Sequence, residues 1–245
     1  ANRVEDKAYA ALMAFINTPW LGANPLASLS EVPERAKAFL TQTIGYIQHV
    51  DVKAINNWAQ ANDCRVFIVV RAGVFIHPGR PLMWIDGELP DNTDSLSKAF
   101  TIDDFRSFDQ DPRFGLLVLA EIASKALSPA VNDPGTAIEI IGRGMRVLSN
   151  WQQPEHSEAE ICYAKVWQLG LDLADLFDDF FTPIARDAAA LVEIHIRLQK
   201  SFIALAKINP QLRIQARRHS QDALARAEQA QTNAGDLARL KALHL

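Results

Sequence analysis

Apolar residues recur every three to four positions along most of this chain, which is the spacing that one buried helix face requires. The spacing predicts helices over residues 5–17, 33–40, 52–61, 95–100, 112–127, 134–151, 173–181, 184–208, 212–231 and 236–243. Pro183 is expected to end the helix over 173–181, because proline lacks a main-chain N–H and clashes within a helix. Polar, turn-forming residues over 19–25 and 151–160 predict loops.

Runs of β-branched and aromatic residues interrupt the helical pattern. They predict strands over residues 43–50, 64–71, 82–85, 101–108 and 160–167, the last returning to the others from far along the chain. The combination predicts an α+β fold, in which a mostly helical domain contains a small, half-barrel-like β unit at residues 43–86. The predicted organisation is a helical segment over 1–42, a β-rich unit over 43–108 and a helical region over 109–245 that packs with it as one domain.

Two corners rich in acidic and amide groups mark the centre of the chain. Over residues 126–137 a Ser-Pro pair ends one helix and an Asn-Asp-Pro sequence begins the next. Over residues 108–115 an Asp-Pro pair caps the following helix by the same device. The polar residues of these corners form a candidate site, either for a ligand or for helix capping: Gln110, Asp111, Ser128, Asn132 and Asp133. We expect capping to be their main role.

Charge is unevenly distributed, although the net charge is only −4. Residues 197–245 carry nine Lys and Arg against three Asp and Glu, so the rest of the chain is acidic. This basic end fits either a solvated helix face or contact with an anionic surface, for which Arg213, Arg217 and Arg218 are the candidate residues. No apolar run in the sequence reaches membrane-spanning length.

The sequence lacks the patterns of common catalytic and cofactor sites. Its six histidines show no metal-ligand spacing, Ser128 is not in a nucleophile-elbow context, and no glycine-rich phosphate loop follows a strand. An acidic helix face fits solvated surface or a cation site: Asp172, Asp175, Asp178 and Asp179. We therefore expect no cofactor, no metal and no nucleic-acid partner, and we favour a non-enzymatic role.

Four motifs, at residues 45–51, 77–82, 108–115 and 126–137, resemble those of a bacterial family of predicted membrane proteins, domain of unknown function 2254. The similarity covers residues 43–137 closely and extends more loosely to about 205. The resemblance implies that membrane helices precede a soluble region of this length. The chain would then be the soluble C-terminal part of an inner-membrane protein, on the cytoplasmic side. The family has no established catalytic or ligand residues, so the resemblance assigns none.

Two functions fit these observations. One is self-association or partner docking by a soluble domain, and the other is a small-molecule sensor or enzyme with a pocket near Gln110–Asp111 and Asn132–Asp133. A broad apolar stripe bears on the first: Leu191, Val192, Ile194, Ile196, Leu198, Phe202, Ile203 and Leu205. A stripe this wide either fills the core or forms an interface between copies, and we expect a homo-oligomer.

Overall fold

The computed structural model describes residues 1–88, 93–156 and 160–245. Its helices are α1 (Asn2–Asn17), α2 (Val52–Ala61), α3 (Asp94–Lys98), α4 (Phe114–Leu127), α5 (Pro134–Leu148), α6 (Leu173–Asp187), α7 (Val192–Ile208), α8 (Arg213–Ala230) and α9 (Ala234–Leu243). Its strands are β1 (Ala23–Leu26), β2 (Lys37–Leu40), β3 (Gly45–Val50), β4 (Arg65–Ile68), β5 (Phe75–Ile76), β6 (Pro81–Asp86), β7 (Phe100–Asp103) and β8 (Tyr163–Leu169). The fold is α+β, as the sequence pattern predicts.

The chain forms two compact units that alternate along the sequence. Unit 1 comprises residues 1–10, 115–153 and 172–245, and unit 2 comprises residues 11–114 and 154–171. The domain boundaries drawn from the sequence stay a prediction. The predicted loop over 151–160 includes residues 157–159, which lie outside the described residues.

Unit 2 contains both sheets. The larger has the strand order β1-β8-β4-β6-β2, and the smaller has the order β5-β3-β7. The predicted returning strand is confirmed as β8, which pairs in parallel with both β1 and β4. Helix α2, capped by Asp51, buries Ile55 and Ala59 against apolar residues of the strands, including Val66 and Ile85.

The prediction for the segment before β3 is partly wrong. Residues 37–40 form strand β2, not a helix, and pair antiparallel with β6, which buries Phe39. Residues 23–26, within and just after a predicted loop, form strand β1, where Asn24 donates a hydrogen bond from Nδ2 to the carbonyl oxygen of Val166 at 2.8 Å. Pro25 is tolerated because β1 lies at the edge of its sheet.

Helices of unit 1 pack around an aromatic cluster. Phe177, Phe180 and Phe181 of α6 and Phe202 of α7 are fully buried, and the ring centroids of Phe181 and Phe202 are 4.8 Å apart. Gly144 of α5 lies against this cluster, since a Cβ atom there would be 2.0 Å from Cζ of Phe180. Close approach at this point therefore requires glycine.

The predicted helix break at Pro183 is wrong. Helix α6 continues through Pro183 to Asp187, and the chain leaves helical structure only between Ala188 and Leu191. The cost of an internal proline, about 3 kcal/mol, is offset because Ile184 continues the buried face of α6. The central positions of the apolar stripe on α7 are also buried: Ile194, Leu198, Phe202 and Leu205. This part of the stripe fills the core of unit 1.

Candidate functional site

The first predicted corner lies in unit 2 and is built around a buried carboxylate. Asp111 is 1% exposed and forms an ion pair with Arg106, with 2.7 Å between Oδ2 and Nη2. Its Oδ1 also accepts hydrogen bonds from the two main-chain N–H groups at the start of α4, at 3.1 and 3.2 Å. Burial raises the pKa of Asp111, while Arg106 opposes that rise. Gln110 is bonded to both main-chain groups of Val50, at 2.9 and 3.3 Å.

Two residues that sequence reasoning missed complete this corner. Gly73 has φ +89°, and a Cβ atom there would be 2.2 Å from Oδ2 of Asp111, so the carboxylate occupies the space of a missing side chain. Arg71 donates from Nη1 to the carbonyl oxygens of Pro19 and Leu169, at 3.1 and 2.8 Å. Burial lowers the pKa of Arg71 to about 10. In the sequence, the signal for Arg71 is a single arginine directly after an apolar, β-branched run at residues 66–70.

The second predicted corner lies in unit 1 and joins α4 to α5. Asp133 caps α5: its Oδ1 accepts from the N–H of Thr136 at 3.0 Å and its Oδ2 accepts from the Thr136 hydroxyl at 2.5 Å. These bonds lower the pKa of Asp133. Asn132 adopts φ 49°, a left-handed conformation that asparagine tolerates better than most residues. Ser128 donates from Oγ to the carbonyl oxygen of Lys125 at 2.8 Å.

Gln110 and Asp111 belong to unit 2, whereas Ser128, Asn132 and Asp133 belong to unit 1. Within its own unit, each of these side chains except that of Asn132 is bonded to protein groups, and Asn132 shapes the turn through its main chain. These contacts are those of helix caps and turns. A ligand site formed by these residues stays a prediction.

The three basic candidates of α8 are all exposed, but they differ in their contacts. Arg218 forms an ion pair with Asp178 of α6, with 2.6 Å between Nη2 and Oδ1. Arg213 and Arg217 lie one turn apart on α8, and neither forms an ion pair with any of the described residues. Only these two are therefore available for an anionic surface.

The predicted acidic face of α6 borders a cleft of about 420 Å³ in unit 1. The residues that line it are Asp178, Asp179, Thr182, Arg218, His219, Asp222 and Arg226. Its charges are largely matched, since Arg226 pairs with Asp222 at 2.8 Å in addition to the Arg218–Asp178 pair. Burial lowers the pKa of His219 to about 4, so this histidine is neutral near pH 7. Across residues 1–88, 93–156 and 160–245, no three His, Cys, Asp or Glu side chains are grouped as metal ligands.

A second polar cleft lies in unit 2 around Asp86, which sequence reasoning did not single out. The Asp86 side chain is 5% exposed, and its carboxylate accepts hydrogen bonds from Arg35 at 2.5 Å and from Nε of Arg65 at 3.0 Å. The bond from Arg35, more than any other interaction, lowers the pKa of Asp86 to about 2. Arg35 and Arg65 both bind the Asp86 carboxylate, and these bonds stabilise the end of β6. We therefore assign the charged groups of this cleft to structure and not to ligand binding.

Exposed apolar side chains gather on the smaller sheet. Along β3, Ile47 points into the core of unit 2, so Tyr46 points to the opposite, outer face, which Ile44 just before β3 also borders. A bulge between Ile47 and His49 returns Val50 to the core side. Tyr46 lies opposite Phe75 of β5, and their rings meet edge to face with centroids 5.1 Å apart. The exposed fractions are 61% for Ile44 and 46% for Phe75.

A further exposed aromatic residue follows β7, beside this surface. Phe105 is 74% exposed, and its carbonyl oxygen accepts a hydrogen bond from the side chain of Gln48, which follows Tyr46 on the outer face. We call Ile44, Tyr46, Phe75 and Phe105 the outer-face patch. The sequence pattern does not mark it, because Ile44, Tyr46 and Phe105 lie in runs predicted as strands and Phe75 lies between two such runs.

Opposite charges flank the outer-face patch. Beside β5, the Arg80 guanidinium donates to the carbonyl oxygen of Phe75 at 2.8 Å. Asp103 lies opposite Tyr46 on β7, at the other edge of the sheet, and is exposed. Among the described residues, neither Arg80 nor Asp103 has an ion-pair partner. One edge of the patch is thus basic and the other acidic.

Comparison with known proteins places the chain in a family of predicted membrane proteins. A family model described as "Predicted membrane protein (DUF2254)" matches residues 2–204. Uncharacterized proteins of Mycobacterium tuberculosis and Mycobacterium bovis are 35% identical over 116 residues, which is 44% of this chain and 22% of each relative. The match therefore spans about a fifth of these relatives' length, and no solved structure matches. None of the described helices is both long and apolar enough to cross a membrane.

Proposed function

This chain belongs to the predicted membrane protein family DUF2254, and from that premise we propose that it is a soluble, non-enzymatic part of a bacterial membrane protein that docks onto a second copy of itself. The full-length protein lies in the inner membrane and this part lies on the cytoplasmic side. The observation that carries the proposal is the outer-face patch, with Phe105 74% exposed and Phe75 46% exposed.

The composition of the patch supports an interface. Aromatic residues are enriched in protein–protein contacts, where they supply large rigid surfaces at low cost in side-chain entropy. Contiguous exposed apolar surface on a folded protein commonly marks such a contact. Tyr46 and Phe75 already lie edge to face, so the patch is ordered before a partner arrives.

The flanking charges favour a second copy as the partner. A two-fold axis parallel to β3 places each β5 edge over the β7 edge of the other copy. Arg80 of one copy then faces Asp103 of the other, twice in each dimer, while the aromatic residues pack at the centre. Confinement to a bilayer raises the local concentration of copies and favours the same association.

The alternative function, a small-molecule sensor or enzyme at the two corners, has less support. Four of the five corner side chains bond to protein groups within their own units, and Asn132 acts through its main-chain conformation.

Light scattering with size exclusion tests the proposal, because it measures molar mass directly. We expect the native chain at tens of micromolar to be dimeric and Phe75→Ser to be monomeric. Arg80→Asp and Asp103→Arg should each weaken the dimer, since each places like charges opposite one another. The double variant Arg80→Asp/Asp103→Arg should restore it.

Leu29→Ser is the matched control, because Leu29 is 58% exposed in the same unit but is not part of the patch. It should leave the dimer intact. A native chain that stays monomeric at these concentrations, or a dimer that persists in Phe75→Ser and is indifferent to the charge variants, contradicts the proposal.

A further inference from the structure

We propose that the turn between α7 and α8 is a contact site for an anionic bilayer surface, made by two exposed isoleucines and three exposed basic side chains at the ends of the two helices. We call Lys207, Ile208, Arg213, Ile214 and Arg217 the hairpin tip. The inference rests on the part of the proposed function that sets this chain beside a membrane, and is independent of self-association.

Exposure at the hairpin tip is unusual for its residue types. Ile214, in the first turn of α8, is 79% exposed, and Ile208, the last residue of α7, is 62% exposed, although most other large apolar residues of α7 are buried. In the sequence, the α8 arginines are surrounded by Gln215, Gln221 and Ala216 rather than by Trp, Phe or Leu, which argues against deep insertion into a bilayer. The structure changes that interpretation, because the α7–α8 turn brings Ile208 beside the start of α8.

Charge at the hairpin tip is of one sign. Residues 194–221 contain six Lys and Arg and no Asp or Glu. Lys207, Arg213 and Arg217 are exposed, and in the part of the chain that the structure describes none of them makes an ion pair or a side-chain hydrogen bond. Arg218, by contrast, is paired with Asp178 and is not part of the tip. The tip therefore presents three uncompensated positive charges.

Two hydrogen bonds anchor the turn to other residues of unit 1. Asn209 donates from Nδ2 to the carbonyl oxygen of Trp151 at 2.7 Å, and Gln211 accepts from the N–H of Gln153 at 2.9 Å. Both anchors lie in unit 1. A preordered tip loses little conformational entropy when it meets a surface.

An anionic bilayer matches both features at once. Its headgroups attract Lys and Arg, and its boundary with the acyl chains accepts isoleucine side chains. Each basic side chain near such a surface strengthens binding about fivefold, so three give roughly a hundredfold. Nucleic acid would satisfy the charges but would leave the isoleucines in water. The family description, predicted membrane protein, places a bilayer within reach of this chain.

Flotation with vesicles tests the inference on the whole 245-residue chain. We expect binding to phosphatidylcholine vesicles that contain about one third phosphatidylglycerol, and much weaker binding to phosphatidylcholine alone. The triple variant Lys207→Gln/Arg213→Gln/Arg217→Gln should lose roughly a hundredfold in partition coefficient. The double variant Ile208→Ser/Ile214→Ser should lose roughly tenfold or more, with the charges intact.

A charge-matched control is Lys37→Gln/Lys53→Gln/Lys98→Gln, which removes three exposed cations of unit 2. It should bind as the native chain does. Insertion is followed with an environment-sensitive dye at Ile214→Cys in a Cys162→Ser background, since Cys64 is buried and Cys162 is exposed. Emission should shift to the blue on anionic vesicles, whereas the same dye at Val131→Cys, also exposed in unit 1, should not shift.

Equal binding to neutral and anionic vesicles, no binding at all, or an isoleucine variant that binds like the native chain overturns the inference. Light scattering on the same variants separates it from the dimer proposal. Tip variants that stay dimeric but lose vesicle binding support the bilayer inference. A native chain that is monomeric but still binds vesicles through the tip contradicts the dimer proposal and leaves the bilayer inference supported.

Discussion

Asp111 shows how a buried charge is stabilised in unit 2 at the scale of single residues. Its carboxylate fills the space beside Gly73, pairs with Arg106 and accepts two main-chain N–H groups. Asp86 has a similar environment, with two arginines on one buried carboxylate. In each case the cost of burying the charge is offset by several charge-assisted hydrogen bonds.

Asp111→Ala should therefore be strongly destabilising. Its loss leaves Arg106, whose side chain is only 12% exposed, without a counter-charge, and breaking a buried pair in this way costs about 3–5 kcal/mol. Urea unfolding measures the change. Asp109→Ala is the control, because the Asp109 side chain is 65% exposed and its ion pair is with the partly exposed His49. If the two variants unfold at the same urea concentration, the buried pair does not stabilise unit 2.

Residue-scale prediction from the sequence succeeds where the signal is local. The caps at Asp51, Asp133 and Asp172 could be recognised because each acid acts on N–H groups two or three residues ahead. The partners of Asp86 could not, since Arg35 lies 51 residues away along the chain. Ile214 was also missed as an apolar surface residue, because spacing alone does not show which side of a short turn faces water.

At the scale of elements, the corner between α4 and α5 combines a cap with a left-handed turn. Asp133→Ala should lower the melting temperature by a few degrees, because α5 loses the side chain that satisfies its first N–H groups. Asp133→Asn should retain most of the stability, since its amide oxygen still caps the helix. A melting temperature unchanged in Asp133→Ala, together with loss of binding to an identified ligand, would show that the corner is a site and not a cap.

The sequence predicts helices and strands correctly where the hydrophobic periodicity agrees with the capping and turn residues at the ends of the element. Helices α2 and α5 begin at the predicted residues, and β8 was identified as a returning strand from its aromatic and β-branched content. Strand β2 was mistaken for a helix because its pairing with β6 over 40 residues away decides its conformation. Pro183 was mistaken for a break because the packing of Phe180, Phe181 and Ile184 outweighs its local cost.

At the scale of the whole molecule, resistance to mild acid depends on two buried histidines of unit 1. Burial lowers the pKa of both His195 and His219 to about 4, from an ordinary value of 6.5. Between pH 4 and 6.5, the unfolded chain therefore binds more protons at these two histidines than the folded chain does. The stability that comes from this difference is complete above pH 6.5 and is lost as the pH falls toward 4, at up to about 1.4 kcal/mol per pH unit for each histidine.

Urea unfolding at several pH values checks this prediction. His195→Leu should flatten the fall between pH 6.5 and 4, because a leucine at this fully buried position cannot bind a proton. His77→Gln should leave the pH profile unchanged, since His77 is exposed. Identical profiles for the native chain and His195→Leu would refute the assignment.

The position of β8 governs the order in which the protein can assemble during synthesis. β8 separates β1 from β4 in the larger sheet, yet it follows β1 by about 140 residues, on the order of 10 s at ordinary rates of translation. Once β4 has emerged, it presents an unpaired edge near the ribosome until β8 is synthesised roughly 100 residues later. The nascent chain is therefore most vulnerable to misassembly before its last strand emerges, and a chaperone that shields strand edges would act in that interval.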